Sequence, residues 1–312
     1  MSTLASPRVT FRQLQIFIAV ADRGTTTAAA DDLALSQSAT SAALNELESV
    51  LGTRLFDRVG KRLALNDSGR TLLPQARLLV DGAQSLEGRF ATAATASPFR
   101  LQVGSSTTIG NYVLPPLLAS FLGAHPGGRL ALRIGNTREV EAAVAAFTVD
   151  IGFIEGPSHA PEMRTLAFME DELVIVASPR HPLARRAGRS RVSIAALRQA
   201  DWLLREPGSG TREAVEQALL PHLARLRSGV ELGSAEAIKL GAAEGLGLAC
   251  LSRRVVSDFV ALGRLQVLRT PLPPLRRAFS VILHEQKFVT PAMEAFIAHC
   301  RGHAAARSKA SR

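Results

Sequence analysis

Apolar residues open the chain with helical spacing. Leu14, Phe17, Ile18 and Ala21 fall at i, i+3, i+4 and i+7, one face of an amphipathic helix. Gly24 punctuates it and a small-residue helix follows over 27–33. After a tight turn at Ala34-Leu35, Ser36 can cap a helix running to about residue 50, closed by Gly52. Ala29, Leu33, Ala39, Ala43, Leu44 and Leu47 form the expected core between these helices. Further on, Leu72, Ala76, Leu79, Ala83, Leu86 and Phe90 are spaced four, three, four, three, four, the seam of two supercoiled helices. Pro74 predicts a kink there or a loosely held first turn. The alternative is one helix packed on its own domain, because fewer than three heptads is short for a coiled coil. The small, polar run 91–98 reads as a hinge.

Beyond it the rhythm changes to short β-branched runs at 101–103, 130–134, 151–154, 173–176, 246–251 and 279–283. Helical patterns lie between many of them, at 110–122, 140–147, 213–226, 235–243 and 291–300. Such alternation predicts an α/β domain with a mostly parallel sheet. The 215 residues from 98 onward are generous for one sheet, so two lobes with a cleft between them are expected. The expected organisation is thus an N-terminal helical unit over 1–66, a dimerisation helix and hinge over 67–97, and a domain over 98–312. Its lobes would comprise 98–168 with 270–300, and 169–269.

Composition narrows the function classes. At 46% hydrophobic and 21% charged residues the chain fits a globular protein. Its longest apolar stretch, 112–124, carries Pro115 and Pro116 and falls short of the roughly 20 residues of a membrane span. The start lacks a basic region followed by an apolar run, so a cytoplasmic protein without a membrane partner is expected. Two cysteines, Cys250 and Cys300, exclude a disulfide framework and a CxxC metal site, and both read as packed small hydrophobes. The net charge of +10 sits in the wrong place for a simple nucleic-acid reading. Residues 1–97 hold ten Lys/Arg against nine Asp/Glu, whereas 98–312 hold twenty-seven against eighteen.

Local pattern is more telling than bulk charge. A short helix, a tight turn and a second helix opened by Ser36-Gln37-Ser38 match the helix-turn-helix plan, whose second helix enters the major groove. Gln37, Ser38, Ser41 and Asn45 fall on its outward face. Gln and Asn can pair bidentately with adenine and Ser serves several bases. The alternative is a plain polar helix face. Arg54, Arg58, Lys61 and Arg62 gather around a turn at Gly60 like a wing suited to phosphate contacts, which position without reading sequence.

In open α/β sheets, ligands bind outside the carboxyl ends of strands, where loops feed helix N-termini. Three loops qualify: Ser105 to Thr108, Glu155-Gly156, and Arg205 to Arg212. The last can aim backbone N–H groups at an anion at a helix start. The expected site takes a small anion, such as sulfite, sulfate, phosphate or a small carboxylate, on Ser106, Thr107, Thr108, Ser209, Gly210 and Thr211, with Asn136 and Thr137 closing one side. Glu155 would repel such a ligand unless Arg205 or Arg212 neutralised it. The bland alternative is that these Ser and Thr residues only cap helices. An enzyme is disfavoured, because Ser209 lacks the G-x-S-x-G flanks, the seven histidines form no recognisable motif, and Gly241, Gly245 and Gly247 precede a strand rather than follow one. A solute-binding transport protein would lack the N-terminal unit.

These residues resemble a known family. Phe11-Arg12-Gln13-Leu14, Ala28-Ala29, Leu35-Ser36-Gln37-Ser38-Ala39-Thr40-Ser41, Leu47-Glu48, Leu51-Gly52 and Leu55-Phe56-Asp57-Arg58 are similar to the DNA-binding part of LysR-type transcriptional regulators. Gly104 to Tyr112, Leu114-Pro115, Gly135-Asn136-Thr137, Phe153 to Pro157, His181-Pro182-Leu183 and Arg205 to Arg212 resemble their effector domain. Thr26 replaces the usual bulky aromatic residue, while Thr27 and Ala42 replace usual basic ones; Thr27 still faces the expected DNA surface. The resemblance implies a winged helix-turn-helix, a linker-helix dimer and a two-lobed periplasmic-binding-protein-like domain. It also implies homodimers or homotetramers on double-stranded promoter DNA, with the bend presented to RNA polymerase. The motifs look like a subgroup tied to sulfur or carbon assimilation. That keeps an inorganic oxyanion and a phosphorylated metabolite both open as effector, with no cofactor and no metal.

Overall fold

A computed structural model describes residues 8–60, 62–90, 99–187 and 191–310. The chain forms two compact units, Met1–Thr95 with Gln286–Thr290 and Ala96–Glu285 with Pro291–Arg312. In the first, α1 (Phe11–Arg23) begins at a reciprocal capping box. Gln13 N donates to Thr10 Oγ1 and Thr10 N donates to Gln13 Oε1, serving backbone groups that a helix start leaves unpaired. Gly24, left-handed at φ 73°, ends it. Thr25 caps α2 (Thr26–Asp32), and Ser36 caps α3 (Gln37–Leu51) as the sequence predicts. Between them Ala34 takes φ 52°, uncommon for a residue with a Cβ and the sign of a tight turn. β1 (Phe56–Val59) and β2 (Arg62–Leu65) pair antiparallel as the expected wing, with Gly60 left-handed at its tip; Lys61 lies outside the described residues.

Two expectations need correction here. Ala39 is exposed, and Thr40 takes the buried position in phase with Leu44 and Leu47. The seam of α4 (Asp67–Phe90) also divides. Leu73, Ala76 and Val80, spaced three and four, pack with Phe17, Leu47, Leu55 and Phe56 in the unit's own core, while Leu79 is 53% exposed. A three-four spacing runs along both faces of this helix, so the pattern alone merged them. The helix continues through Pro74. The side chains of Leu86 and Phe90, and the hinge expected over 91–98, lie outside what is described.

The second unit runs β3 (Arg100–Ser106), α5 (Thr107–Tyr112), α6 (Leu114–Ala124), β4 (Arg129–Gly135), α7 (Thr137–Ala145), β5 (Ile151–Glu155) and β6 (Met163–Ala177). It continues through α8 (Pro182–Ala187), α9 (Ile194–Gln199), β7 (Asp201–Arg205), α10 (Gly210–Leu223), β8 (Arg227–Leu232) and α11 (Ala235–Ala243). β9 (Leu248–Ser252), α12 (Arg253–Ala261), β10 (Gln266–Val267), β11 (Leu275–His284) and α13 (Pro291–Ala310) complete it. The helix expected over 110–122 is two helices broken at Val113, because Pro115-Pro116 cannot continue an existing helix but suit a first turn.

Among the described residues its sheet has nine strands, in the order β4-β3-β5-β11-β6-β9-β7-β8 with β10 on β6. Parallel pairing holds within each lobe, β4-β3-β5 in one and β9-β7-β8 in the other. The sheet is mixed rather than mostly parallel, because β6 and β11 run antiparallel from Leu275↔Leu173 to His284↔Met163. One carries the chain into the second lobe and the other brings it back, so they must oppose. Trp202 is buried in the second lobe and donates through Nε1 to Leu197 O at 3.0 Å. Cys250 and Cys300 are packed as expected, and burial pushes both thiols up to about 12.

Candidate functional site: an exposed recognition helix and an interlobe cleft

The cap at Ser36 and the turn before it leave the first turn of α3 projecting. Gln37, Ser38 and Asn45 are exposed and Ser41 is half-buried. Gln37 Nε2 donates to Thr26 Oγ1 at 3.3 Å and to Ser41 Oγ at 3.0 Å, so its amide lies across the α2–α3 junction with its oxygen uncommitted to these partners. Thr27 is exposed on α2, and Arg54, Arg58 and Arg62 are exposed at the base and on the strands of the wing. Polar groups that can read base edges and cations that can hold phosphate therefore occur in one folded unit.

The expected effector residues separate into three groups. In the first, Thr108 and Thr211, from opposite lobes, both serve Glu155. Thr108 N donates to Glu155 Oε1 at 2.9 Å and Thr211 Oγ1 donates to Oε2. The cation expected from Arg205 or Arg212 is instead Arg277 on β11, whose Nη1 donates to Glu155 Oε2 at 2.6 Å and to Thr211 Oγ1 at 2.9 Å. Arg277 Nε donates to Asp171 Oδ2 at 2.9 Å, and Asp171 Oδ1 accepts from Ser252 Oγ at 2.7 Å. Burial alone would raise Glu155, but Arg277 and the bonds from Thr211 and Thr108 together hold its carboxyl below the ordinary range. For Asp171 burial prevails and the carboxyl is raised.

In the second group Arg205 donates through Nε and Nη2 to the two oxygens of Glu206, each at 2.8 Å, and through Nη1 to Thr107 Oγ1 at 2.8 Å. Asn136 Nδ2 reaches Glu206 Oε1 at 3.2 Å. In the third, Gly210 N donates to Thr137 Oγ1 at 3.2 Å and Arg138 N to Gly208 O at 3.1 Å, stitching α7 to the start of α10. Ser209 caps α10 by accepting from Arg212 N, the bland role weighed for it. Arg212 pairs with Glu216 and donates to Arg205 O at 2.7 Å. Ser106 Oγ is buried without a hydrogen-bond partner among the described residues. A further bridge joins the lobes at Tyr112, which donates to Glu236 and accepts from Lys239 Nζ at 2.9 Å. Burial and the bond to Glu236 push that phenol up to about 12.

Arg277, Asp171 and Glu206 escaped the sequence reading. Arg277 had a signal: it shares a strand face with Leu275 and Phe279, and a cation in phase with apolar neighbours must be paired.

Comparison with known proteins agrees with this architecture. Residues 11–70 match the profile "Bacterial regulatory helix-turn-helix protein, lysR family", and residues 98–305 match "LysR substrate binding domain". The chain is 46% identical over 292 residues to the uncharacterized HTH-type transcriptional regulator YeiE of Escherichia coli (strain K12), covering 94% of this chain and 97% of that one. A full-length OxyR variant from Pseudomonas aeruginosa shares the fold at TM-score 0.79 and 21% identity, covering 95% and 96% of the two chains. The regulatory domain of CcmR from Synechocystis PCC6803, solved with 2-PG, matches at TM-score 0.60 and 29% identity, covering 66% of this chain and 97% of that one.

Proposed function

The chain belongs to the LysR family of transcriptional regulators, and from that premise we propose how its two units divide the work. It is a DNA-binding regulator with an effector-binding domain, not an enzyme. In our reading α3 enters the major groove with Gln37, Ser38, Ser41 and Asn45 at base edges. Thr27, Arg54, Arg58, Lys61 and Arg62 then hold the flanking phosphates of promoter DNA. The protein acts as a homodimer or homotetramer in the cytoplasm, and the DNA bend it imposes is what RNA polymerase meets.

The effector is a small oxyanion bound between the lobes. The observation that carries this is Arg205, a buried guanidinium at the end of β7 whose partners, Thr107 and Glu206 with Asn136, come from both lobes. The complex of the Synechocystis regulator with 2-PG supports a ligand bearing a phosphoryl or carboxylate group. Binding there biases the contacts Gly210–Thr137 and Tyr112–Lys239, and can shift the population of lobe arrangements only as far as its affinities for them differ.

The test takes the purified full-length protein, selects duplexes from sheared genomic DNA, and footprints one of them with inorganic sulfate, inorganic phosphate or 2-phosphoglycolate. Discrete retained fragments and a footprint that changes on saturable addition of one anion are expected. Retention of no duplex at low ionic strength overturns the DNA reading; an unchanged footprint with no binding of any of the three overturns the effector reading.

A further inference from the structure

Arg205 is 2% exposed, yet what satisfies it is its own chain neighbour, which grips it through both carboxylate oxygens. Thr107 and Asn136, from the opposite lobe, complete the cluster. A forked guanidinium with a carboxamide N–H on one acceptor oxygen is how a receptor holds a free carboxylate, sulfate or phosphoryl group. Glu206 lies outside the strands and helices, in the turn between β7 and α10, where its carbonyl accepts from Ser209 N at 3.3 Å. It follows the last residue of β7 and precedes Pro207 and Gly208, the latter left-handed at φ 91°, and its side chain is 22% exposed. Ser106, next to Thr107 in the chain, keeps a buried hydroxyl without a partner among the described residues.

We propose that Glu206 is an internal occupant of the oxyanion site: its carboxylate holds Arg205 and Asn136 in receptor geometry when the site is empty, and the effector binds by displacing it into solvent. This rests on the effector reading above and sharpens it to a ligand class. A monocarboxylate offers Arg205 nothing that Glu206 lacks, and it must also give up translational freedom that a tethered group has already lost. A tetrahedral dianion brings a second charge and further oxygens, for which the hydroxyls of Ser106 and Thr107 are donors. The site therefore selects tetrahedral dianions over monocarboxylates, with Glu206 setting the threshold.

The experiment is calorimetric titration of the full-length protein with inorganic sulfate, inorganic phosphate and acetate, using wild type, E206Q, E206D and R205Q, each with its melting curve. Wild type is expected to bind a tetrahedral anion and ignore acetate. E206Q should bind that anion roughly tenfold tighter and gain acetate binding. E206D keeps the charge but is one methylene short of the fork, and should tighten binding several-fold. Improvement in E206Q with E206D equal to wild type would show that Glu206 acts by charge alone, and no gain in E206Q would show that it does not compete; either overturns the proposal. If wild type binds and R205Q binds equally, the anion sits elsewhere in the cleft and this inference falls while the effector reading stands. If neither wild type nor any variant binds any anion, both fall.

Discussion

Replacing Arg277 by Met keeps a long apolar stem in the core while removing a cation that touches both Glu155 and Asp171. Glu155 would retain the bonds from Thr108 N and Thr211 Oγ1, and Asp171 the bond from Ser252 and a longer approach of Arg254 at 3.5 Å. Breaking a buried pair by deleting one partner costs about 3–5 kcal/mol, because the survivor is left as an uncompensated charge. At roughly 2–4 °C per kcal/mol for a domain of this size, the effector unit's melting temperature should fall by roughly 6–20 °C. The loss depends on pH in a defined direction. In the native protein the lowered Glu155 carboxyl contributes stability that is complete above its unfolded value and is lost as pH falls through its folded one. Without Arg277 burial dominates and the carboxyl rises, so the variant should recover stability relative to wild type as pH is lowered from 8 towards 5. Full-length R277M, followed by differential scanning calorimetry across that range, reads both effects, and R277M/E155Q should melt above R277M at pH 7. Equal melting of R277M and wild type, or a double variant less stable than the single one, would refute the assignment of Arg277 as the cation that makes Glu155 tolerable.

The recognition surface divides its labour in a measurable way. Q37A should relax sequence preference by about 1–3 kcal/mol at one base position, whereas R58A should weaken all duplexes alike and reduce the salt slope by about one. Equal losses on specific and random DNA for both, by fluorescence anisotropy at several salt concentrations, would contradict this. G210A should open the cleft: a Cβ there falls onto the Glu155 carbonyl and within 2.6 Å of Thr137 Oγ1, so α10 must back away from α7. The expected readout is anion affinity at least tenfold weaker with DNA binding retained; unchanged affinity would show that the Gly210–Thr137 contact is not part of the bound state.

How far the sequence could be read depended on how local each signal was. The helix-turn-helix is written in adjacent residues: Ser36 caps the helix that starts at the next residue, Gly24 and Gly52 end theirs, and Gly60 turns the wing, so each choice is made within a few positions of its effect. Most apolar strands were legible for the same reason, although the short run of β7 was not among the expected strands. β8, exposed along one edge, and the first half of β6 lack the continuous apolar run that marks a buried strand, and neither stood out.

The cleft was legible only in its loops. The Ser, Thr and Gly residues at the three strand ends point to a ligand site through local chemistry, but which of them serve the ligand and which serve the protein depends on partners far away in the chain. Arg277 reaches Glu155 across 122 positions and Asp171 across 106, and that pairing turns Glu155 from a repulsive wall into a neutralised scaffold for Thr108 and Thr211. Arg205, the arginine expected to do that, is thereby left to Glu206, one residue away. In the reading proposed above, the anion site lies at the Arg205–Thr107–Asn136 cluster, where the acceptor is the side chain of Glu206, and not at the Thr108–Thr211 pair, whose groups serve Glu155. In that reading the loops place the ligand at the strand ends, while the long-range charge pairing decides which of their groups serve the protein instead.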